Sequence, residues 1–328
     1  MSAEGAGRAL CLDVRGLNVA YPGVAGPIEV VRDASFEVVE GQCLGIVGES
    51  GSGKSQSCLA LMGLLPRQAR VGGSIRFRGR ELLADGAREA RSLRGRELAM
   101  VFQDPISALT PHLRIGTQLG EVLRRHLGTN AAEARTRAAL MLTHVGIDHP
   151  EQRLRQYPHQ LSGGMRQRVM IAMACLCGPA LLLADEPTTA LDAAVQAQVI
   201  ALLRSMRTEL GMAMVLVTHD LALLSGLADR IVVMYAGRVV ESASAAELFA
   251  RPLHPYTAGL LACVPRWTDA PPSRFASIPG VPPGPGAVGG GCAFAPRCTR
   301  AAARCLQSRP ELAPRADGRC VACHFPHA

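Results

Sequence analysis

Gly48-Glu49-Ser50-Gly51-Ser52-Gly53-Lys54-Ser55 is the stretch on which the reading of the fold turns. It satisfies the phosphate-loop pattern of Gly, four residues, then Gly-Lys-Ser. The apolar run Cys43-Leu44-Gly45-Ile46-Val47 before it suits a buried strand, and Gln56 to Leu65 after it reads as a helix whose start the loop forms. Gly48, Gly51 and Gly53 let backbone N–H groups turn inward toward an anion, and Ser50 and Ser52 complete the cradle. The helix N-terminus adds its positive dipole end. Lys54 is expected to reach the β- and γ-phosphates, and the Ser55 hydroxyl to ligate a magnesium ion. Lys54 is also the only lysine in the chain. In so arginine-biased a sequence, a retained lysine points to a task for a compact point charge.

The remaining bounds agree with a globular nucleotide-handling protein. The 328 residues allow two or three domains. A hydrophobic content of 48% with 19% charged residues excludes a disordered chain. No run reaches the roughly 18 uninterrupted apolar residues needed to span a bilayer. Met1 to Leu10 lacks the pattern of a signal peptide, so the cytoplasm is the expected compartment. The net charge of +8 is densest at Arg76, Arg78, Arg80, Arg88, Arg91, Arg94 and Arg96. Without interleaved aromatics this reads as a solvated surface before a nucleic-acid stripe, with attraction to the anionic cytoplasmic leaflet as a third reading. Of eleven cysteines, six are scattered between Cys11 and Cys263 and read as small buried hydrophobes. The other five crowd into residues 292–328, which in a reducing compartment points to metal more than to disulfides.

Outward from the loop, residues 10 to 47 alternate apolar and polar positions and suggest an antiparallel strand layer, with Tyr21 projecting from a loop beside Pro22 and Gly23. Gly72 to Gly79 reads as a hairpin strand, and Leu98 to Gln103 as a buried strand ending in a polar side chain. Residues 115 to 146 have helical periodicity and form an inserted unit. At Leu161-Ser162-Gly163-Gly164-Met165 a polar cap and two glycines open a helix from Met165 to Cys177, a second anion site by the same physics as the first. Leu181-Leu182-Leu183-Ala184-Asp185-Glu186 is an apolar strand ending in two carboxylates, where a doubly wound sheet places its ligands. Asp185 suits magnesium, and Glu186 suits a general base for an attacking water. Leu191-Asp192 opens a helix from Ala193 to Leu210. Met214 to Asp220 repeats the design, with His219 at the strand end, and Arg230 to Tyr235 is the last core strand. From Pro252 the composition changes, and Pro265 to Gly291 reads as an extended connector.

Six elements in this order resemble the nucleotide-binding subunit of an ABC transporter. They are the phosphate loop, Gln103 as the Q-loop glutamine, Leu161-Ser162-Gly163-Gly164 as the signature, Asp185-Glu186 as the Walker B pair, Asp192 in the D-loop and His219 as the switch histidine. The resemblance implies an α/β P-loop ATPase core with an antiparallel strand layer, a helical insert at about 104–165 within a domain of residues 1–250, and a cysteine-bearing extension over 251–328. It implies that ATP lies between one chain's loop and a partner's signature residues Ser162, Gly163 and Gly164, with Tyr21 stacked on the adenine. Magnesium would be held by Ser55, Gln103 and Asp185. Glu186, His219, Lys54 and Gln103 would carry the hydrolysis.

Tyr157 to Arg168, Pro187 to Asp192, His254-Pro255-Tyr256-Thr257 and Gly291 to Cys298 narrow the likeness to ATPase subunits of oligopeptide and dipeptide importers. That implies a second, paralogous ATPase subunit and two membrane permeases. A peptide-binding protein outside the cell would act indirectly, the seat would be peripheral on the cytoplasmic face, and no nucleic-acid partner is expected. In some members cysteines equivalent to Cys292, Cys298, Cys305 and Cys323 hold a [4Fe-4S] cluster. Zinc is the competing metal, because Cys320 and Cys323 have a CxxC spacing, and a tail of free thiols is the third reading. Import of nickel or another small solute, and a soluble ABC ATPase acting on nucleic acid or ribosomes, stand as the alternative functions.

Overall fold

The computed structural model describes residues 9–24, 26–84, 88–104, 108–189, 191–264, 277–284, 286–287 and 289–327. Two long strands open the chain, β1 (Leu10–Tyr21) and β2 (Ile28–Val39), followed by β3 (Cys43–Val47) and helix α1 (Lys54–Leu61). Strands β4 (Arg70–Phe77) and β5 (Arg80–Glu81) pair with the first two in an antiparallel sheet ordered β2-β1-β4-β5. Alternation puts one face of this layer inward, with Leu12, Val14, Leu17 and Val19 fully buried.

The larger sheet is built on β3, β6 (Leu98–Val101), β7 (Leu181–Asp185), β8 (Ala213–Thr218) and β9 (Arg230–Tyr235). These five run parallel in the order β9-β3-β8-β7-β6. Every residue of β3, β7 and β8 is buried, as their unbroken apolar runs require when both faces are covered. Neighbouring residues feed opposite cores. Leu181 and Leu183 join the core shared with the strand layer and α1, while Leu182 and Ala184 join the core shared with the helices.

The insert holds α2 (Ile115–Leu127), α3 (Ala131–His144) and α4 (Pro150–Leu154), followed by α5 (Gly163–Cys175). The periodic stretch from 115 to 146 is therefore two helices. Gly128, at φ 66, ends the first, and the Asn130 side chain caps the second at Glu133 N. Helix α6 (Ala193–Leu210) and strand β9 have the expected bounds. Helix α5 starts two residues earlier than expected, because Ser162 is the capping residue and both glycines lie in its first turn. Tyr21 is the last residue of β1, paired with Ile28, so it belongs to a strand end and not to a loop.

The C-terminal region returns to the ATPase core. Strand β10 (Arg238–Ser244) runs antiparallel to β9, and β11 (Ala313–Pro314) and β12 (Cys320–Val321) extend the same sheet, β12 pairing with β10. Glu241, fully buried on β10, accepts the N–H groups of Leu253 and His254 at 2.8 Å each. Burial lowers the His254 pKa to about 4, so its neutral ring caps the helix that follows, accepting from Tyr256 N at 3.0 Å. Phe294 packs with its ring centroid 5.3 Å from those of both Tyr235 and Tyr256. Residues 277–284, 286–287 and 289–291 carry no helix or strand, in keeping with the connector reading, and Pro265 to Ala276, Pro285 and Val288 lie outside the described residues.

Candidate active site

The carboxyl ends of four parallel strands meet at one corner of the sheet. Strand β3 delivers the phosphate loop, β6 leads to Gln103, β7 ends at Asp185 and Glu186, and β8 leads to His219. This is where an open parallel sheet leaves its loops to bind ligands. The loop is tight enough to dictate its glycines. A Cβ at Gly48 would stand 2.2 Å from the Met234 carbonyl oxygen. Gly53, at φ 97, would place one 2.7 Å from the Val30 oxygen. Gly53 leads directly into α1 and supplies no side-chain cap, so the first-turn N–H groups are left for an anion.

Lys54 is only 4% exposed and folds back over its own loop, donating to the carbonyl oxygens of Gly48 at 2.7 Å and Glu49 at 2.9 Å. Burial lowers its pKa, against the opposing pull of Glu186, Asp185 and Glu49. The Ser55 hydroxyl donates to Asp185 Oδ1 at 2.9 Å. Asp185 is 5% exposed, and burial raises its pKa while the Ser55 hydrogen bond works the other way. Two hard oxygens held together beside a phosphate loop are the donor set that magnesium takes.

Glu186 is the convergence point. Its Oε2 accepts from Gln103 Nε2 at 3.2 Å and from Thr189 Oγ1 at 2.8 Å, and it faces His219 Nδ1 at 3.3 Å. Its backbone has φ 46, a left-handed conformation that costs a non-glycine residue about 1–2 kcal/mol. Strain of this kind is tolerated where the surroundings hold a side chain to a task.

Three groups of expected site residues stand apart from this corner. Tyr21 Oη donates to Gln56 Oε1 at 2.5 Å, which holds the ring against α1 beside the loop. Ser162 caps α5 by accepting from Met165 N at 3.3 Å, with Gly163 exposed beside it. Asp192 caps α6 through Val195 N at 2.9 Å. Among the described residues no hydrogen bond joins Ser162, Gly163 or Gly164 to residues 48–55.

Residues 31–189 match the ABC transporter family, and residues 240–305 match the C-terminal region of oligopeptide/dipeptide transporters. The chain is 47% identical over 315 residues to the oligopeptide transport ATP-binding protein of Salmonella typhimurium, spanning 96% of this chain and 93% of that one. It is 48% identical over 316 residues to the dipeptide transport ATP-binding protein of Escherichia coli, spanning 96% of each. The chain belongs to the ATP-binding subunits of ABC transporters. Within this family it is an ATPase coupled to transport, using ATP with Mg2+. Solved ATP-binding cassettes share the fold. A dimeric post-hydrolysis cassette bound to ADP and Pi aligns with TM-score 0.64 at 26% identity, over 71% of this chain and 98% of the other. A component of an ABC transporter complex from Clostridium perfringens aligns at 0.62 and 27%, over 74% and 91%.

In this ABC ATPase, Cys292, Cys298, Cys305 and Cys323 line one small pocket with Phe294 and Phe325, while Cys320 lies outside it on β12. Phe325 N donates to Cys323 Sγ at 3.4 Å. Burial raises the thiol pKa of both Cys292 and Cys323. Among the described residues no three His, Cys, Asp or Glu side chains are grouped closely enough to hold a metal ion.

Sequence reasoning missed four contributors. In the sequence Thr189 is only one residue of the Pro187 to Asp192 stretch, yet its hydroxyl fixes Glu186. Glu49 occupies a variable position of the loop pattern, and nothing local announces its partners. These are Tyr256 and Arg297, which come from the C-terminal region.

Proposed function

We propose that this ABC ATPase powers import of oligopeptides or dipeptides, as the names of its relatives indicate for those proteins. The meeting of Gln103, His219 and Thr189 on the Glu186 carboxylate carries the mechanism, since a base for water must be held by side chains from several strand ends. Glu186 takes the proton of the water that attacks the γ-phosphorus. Gln103 and His219, which touch the same oxygen, orient that water and report the γ-phosphate. Lys54 leaves the loop carbonyls for the β- and γ-phosphate oxygens and neutralises charge there. Ser55, Asp185 and Gln103 would hold Mg2+, which supplies electrostatic stabilisation of the phosphates. Gly48, Ser50, Gly51, Ser52 and Gly53 cradle the phosphates, and Tyr21 stacks on the adenine.

Ser162, Gly163, Gly164 and Asp192 serve the nucleotide of a second, paralogous ATPase subunit, because Ser162, Gly163 and Asp192 lie open to solvent and none of the four is bonded to its own loop. The chain docks peripherally on the cytoplasmic face against two permeases through the insert at about 104–165, and a binding protein outside the cell delivers the peptide. No helix among the described residues is long and apolar enough to cross a membrane, so the path for cargo lies in those partners. Residues 1–250 form the ATPase domain and 251–328 the extension. Cys292, Cys298, Cys305 and Cys323 would be the ligands of a [4Fe-4S] cluster, since thiolates hold such clusters and four suffice, but although they line one pocket they are not grouped closely enough here to fit one. Anaerobic purification with absorbance and iron and zinc analysis tests this ligand set, and a colourless, metal-free tail would overturn it.

The decisive variant is Glu186→Gln in the assembled complex. ATP binding is retained and turnover falls by about 10²–10⁴-fold. Undiminished hydrolysis when the partner's corresponding site is also blocked would show that another group is the base. Stimulation of ATP hydrolysis by peptide-loaded binding protein, and not by nickel, checks the cargo.

A further inference from the structure

The second residue of the phosphate loop is gripped from the far end of the chain. Glu49 N donates to Tyr256 Oη at 2.9 Å, its carbonyl accepts from Lys54 Nζ at 2.9 Å, and its carboxylate receives both terminal nitrogens of Arg297, at 2.5 and 2.9 Å. A bidentate guanidinium–carboxylate pair fixes orientation as well as distance. Arg297 is itself immobilised. Its side chain is 4% exposed, its Nε donates to the Pro279 carbonyl at 2.8 Å, Nη1 reaches Tyr235 Oη at 3.3 Å, and the guanidinium lies over the Tyr235 ring at 5.9 Å. All five guanidinium hydrogens of so buried a group need partners, and this set directs the fork at one carboxylate. Arg297 also stands in the short turn between Cys292 and Cys298, which ties the loop to the cysteine pocket.

We propose that Arg297 and Tyr256 are positioning residues for ATP, strapping Glu49 so that the phosphate loop and the carbonyl that parks Lys54 are held ready for nucleotide. The inference rests on residues 48–55 being the ATP cradle. The extension is thereby part of the nucleotide site, although it touches no phosphate. Its role is to remove loop freedom that nucleotide binding would otherwise have to freeze.

The test uses the full chain assembled with its cognate subunits, measuring the dissociation constant for MgATP directly together with KM and kcat. Arg297→Ala and Glu49→Ala each raise the dissociation constant and KM about tenfold. Arg297→Ala, which lies outside the loop, leaves kcat within about twofold at saturation. Arg297→Lys, which keeps the charge but loses the fork, recovers part of the affinity. The double variant is no worse than either single one, because both remove the same link. Wild-type affinity in Arg297→Ala overturns the proposal, and so do effects of the two single changes that multiply. If Arg297→Ala fails to fold, Glu49→Ala carries the decision, and unchanged affinity there overturns the strap. An unaltered complex that binds no adenine nucleotide would overturn the cradle reading itself, and the strap with it.

Discussion

Helices α1 and α5 have glycine at their N-terminal ends, and they present opposite solutions to the same physics. Helix α1 starts at a Gly53 with no capping side chain, its loop is wedged against Met234 and Val30, and the lysine that follows turns back to satisfy the loop carbonyls. Helix α5 starts with Ser162 capping Met165, and a Cβ at its Gly163 would meet nothing within 4 Å. Both N-termini attract anions. The first has Lys54, the Ser55–Asp185 pair and Glu186 assembled around it by its own chain. The second has an open glycine backbone behind its Ser162 cap, which under the proposed function is a half-site for another subunit's nucleotide.

The comparison can be broken most forcefully at Lys54. Lys54→Ala removes the only ammonium group near the loop, and MgATP titration of the separate chain is expected to show affinity reduced by at least about a hundredfold. Gly163→Glu at the other helix leaves that titration unchanged and lowers turnover of the assembled complex by about a hundredfold, read by phosphate release. A fall in ATP binding by the lone chain carrying Gly163→Glu would mean that α5 serves its own loop and that the contrast is false.

A smaller effect separates the two ends by pH. Burial raises the Asp185 pKa, so the folded protein binds this proton more tightly than the unfolded chain, and the residue favours the metal-free fold as pH falls. Protonated Asp185 is a poor magnesium ligand. The Mg2+ requirement for ATP binding therefore rises several-fold on acidification, beginning above the usual aspartate range. Asp185→Asn flattens that dependence. The α5 terminus has no acidic residue in its first turn and does not contribute. Titration of Mg2+ against a fluorescent nucleotide at stepped pH checks both statements.

Much of this was legible locally. The loop pattern, the apolar runs of β3, β7 and β8, and the bounds of α6 and β9 follow from spacing and periodicity, which act over a few residues. Tyr21 was misplaced because the turn signal of Pro22-Gly23 lies one residue beyond it, and pairing with Ile28 keeps it in the strand. The extension was harder. Its proline- and glycine-rich composition says nothing of β12 completing the main sheet, since a two-residue strand has no period to detect.

By itself the sequence determined that a phosphate loop, a carboxylate-ended strand and a glycine-led helix exist, because each is a local choice of backbone and residue type. Only the tertiary structure decided which side chains hold Glu186 and that Arg297 grips Glu49 across 248 positions of sequence. Hydrogen bonds between distant segments depend on how strands are ordered and how the tail packs. Those are properties of the whole core, and no stretch of residues carries them alone.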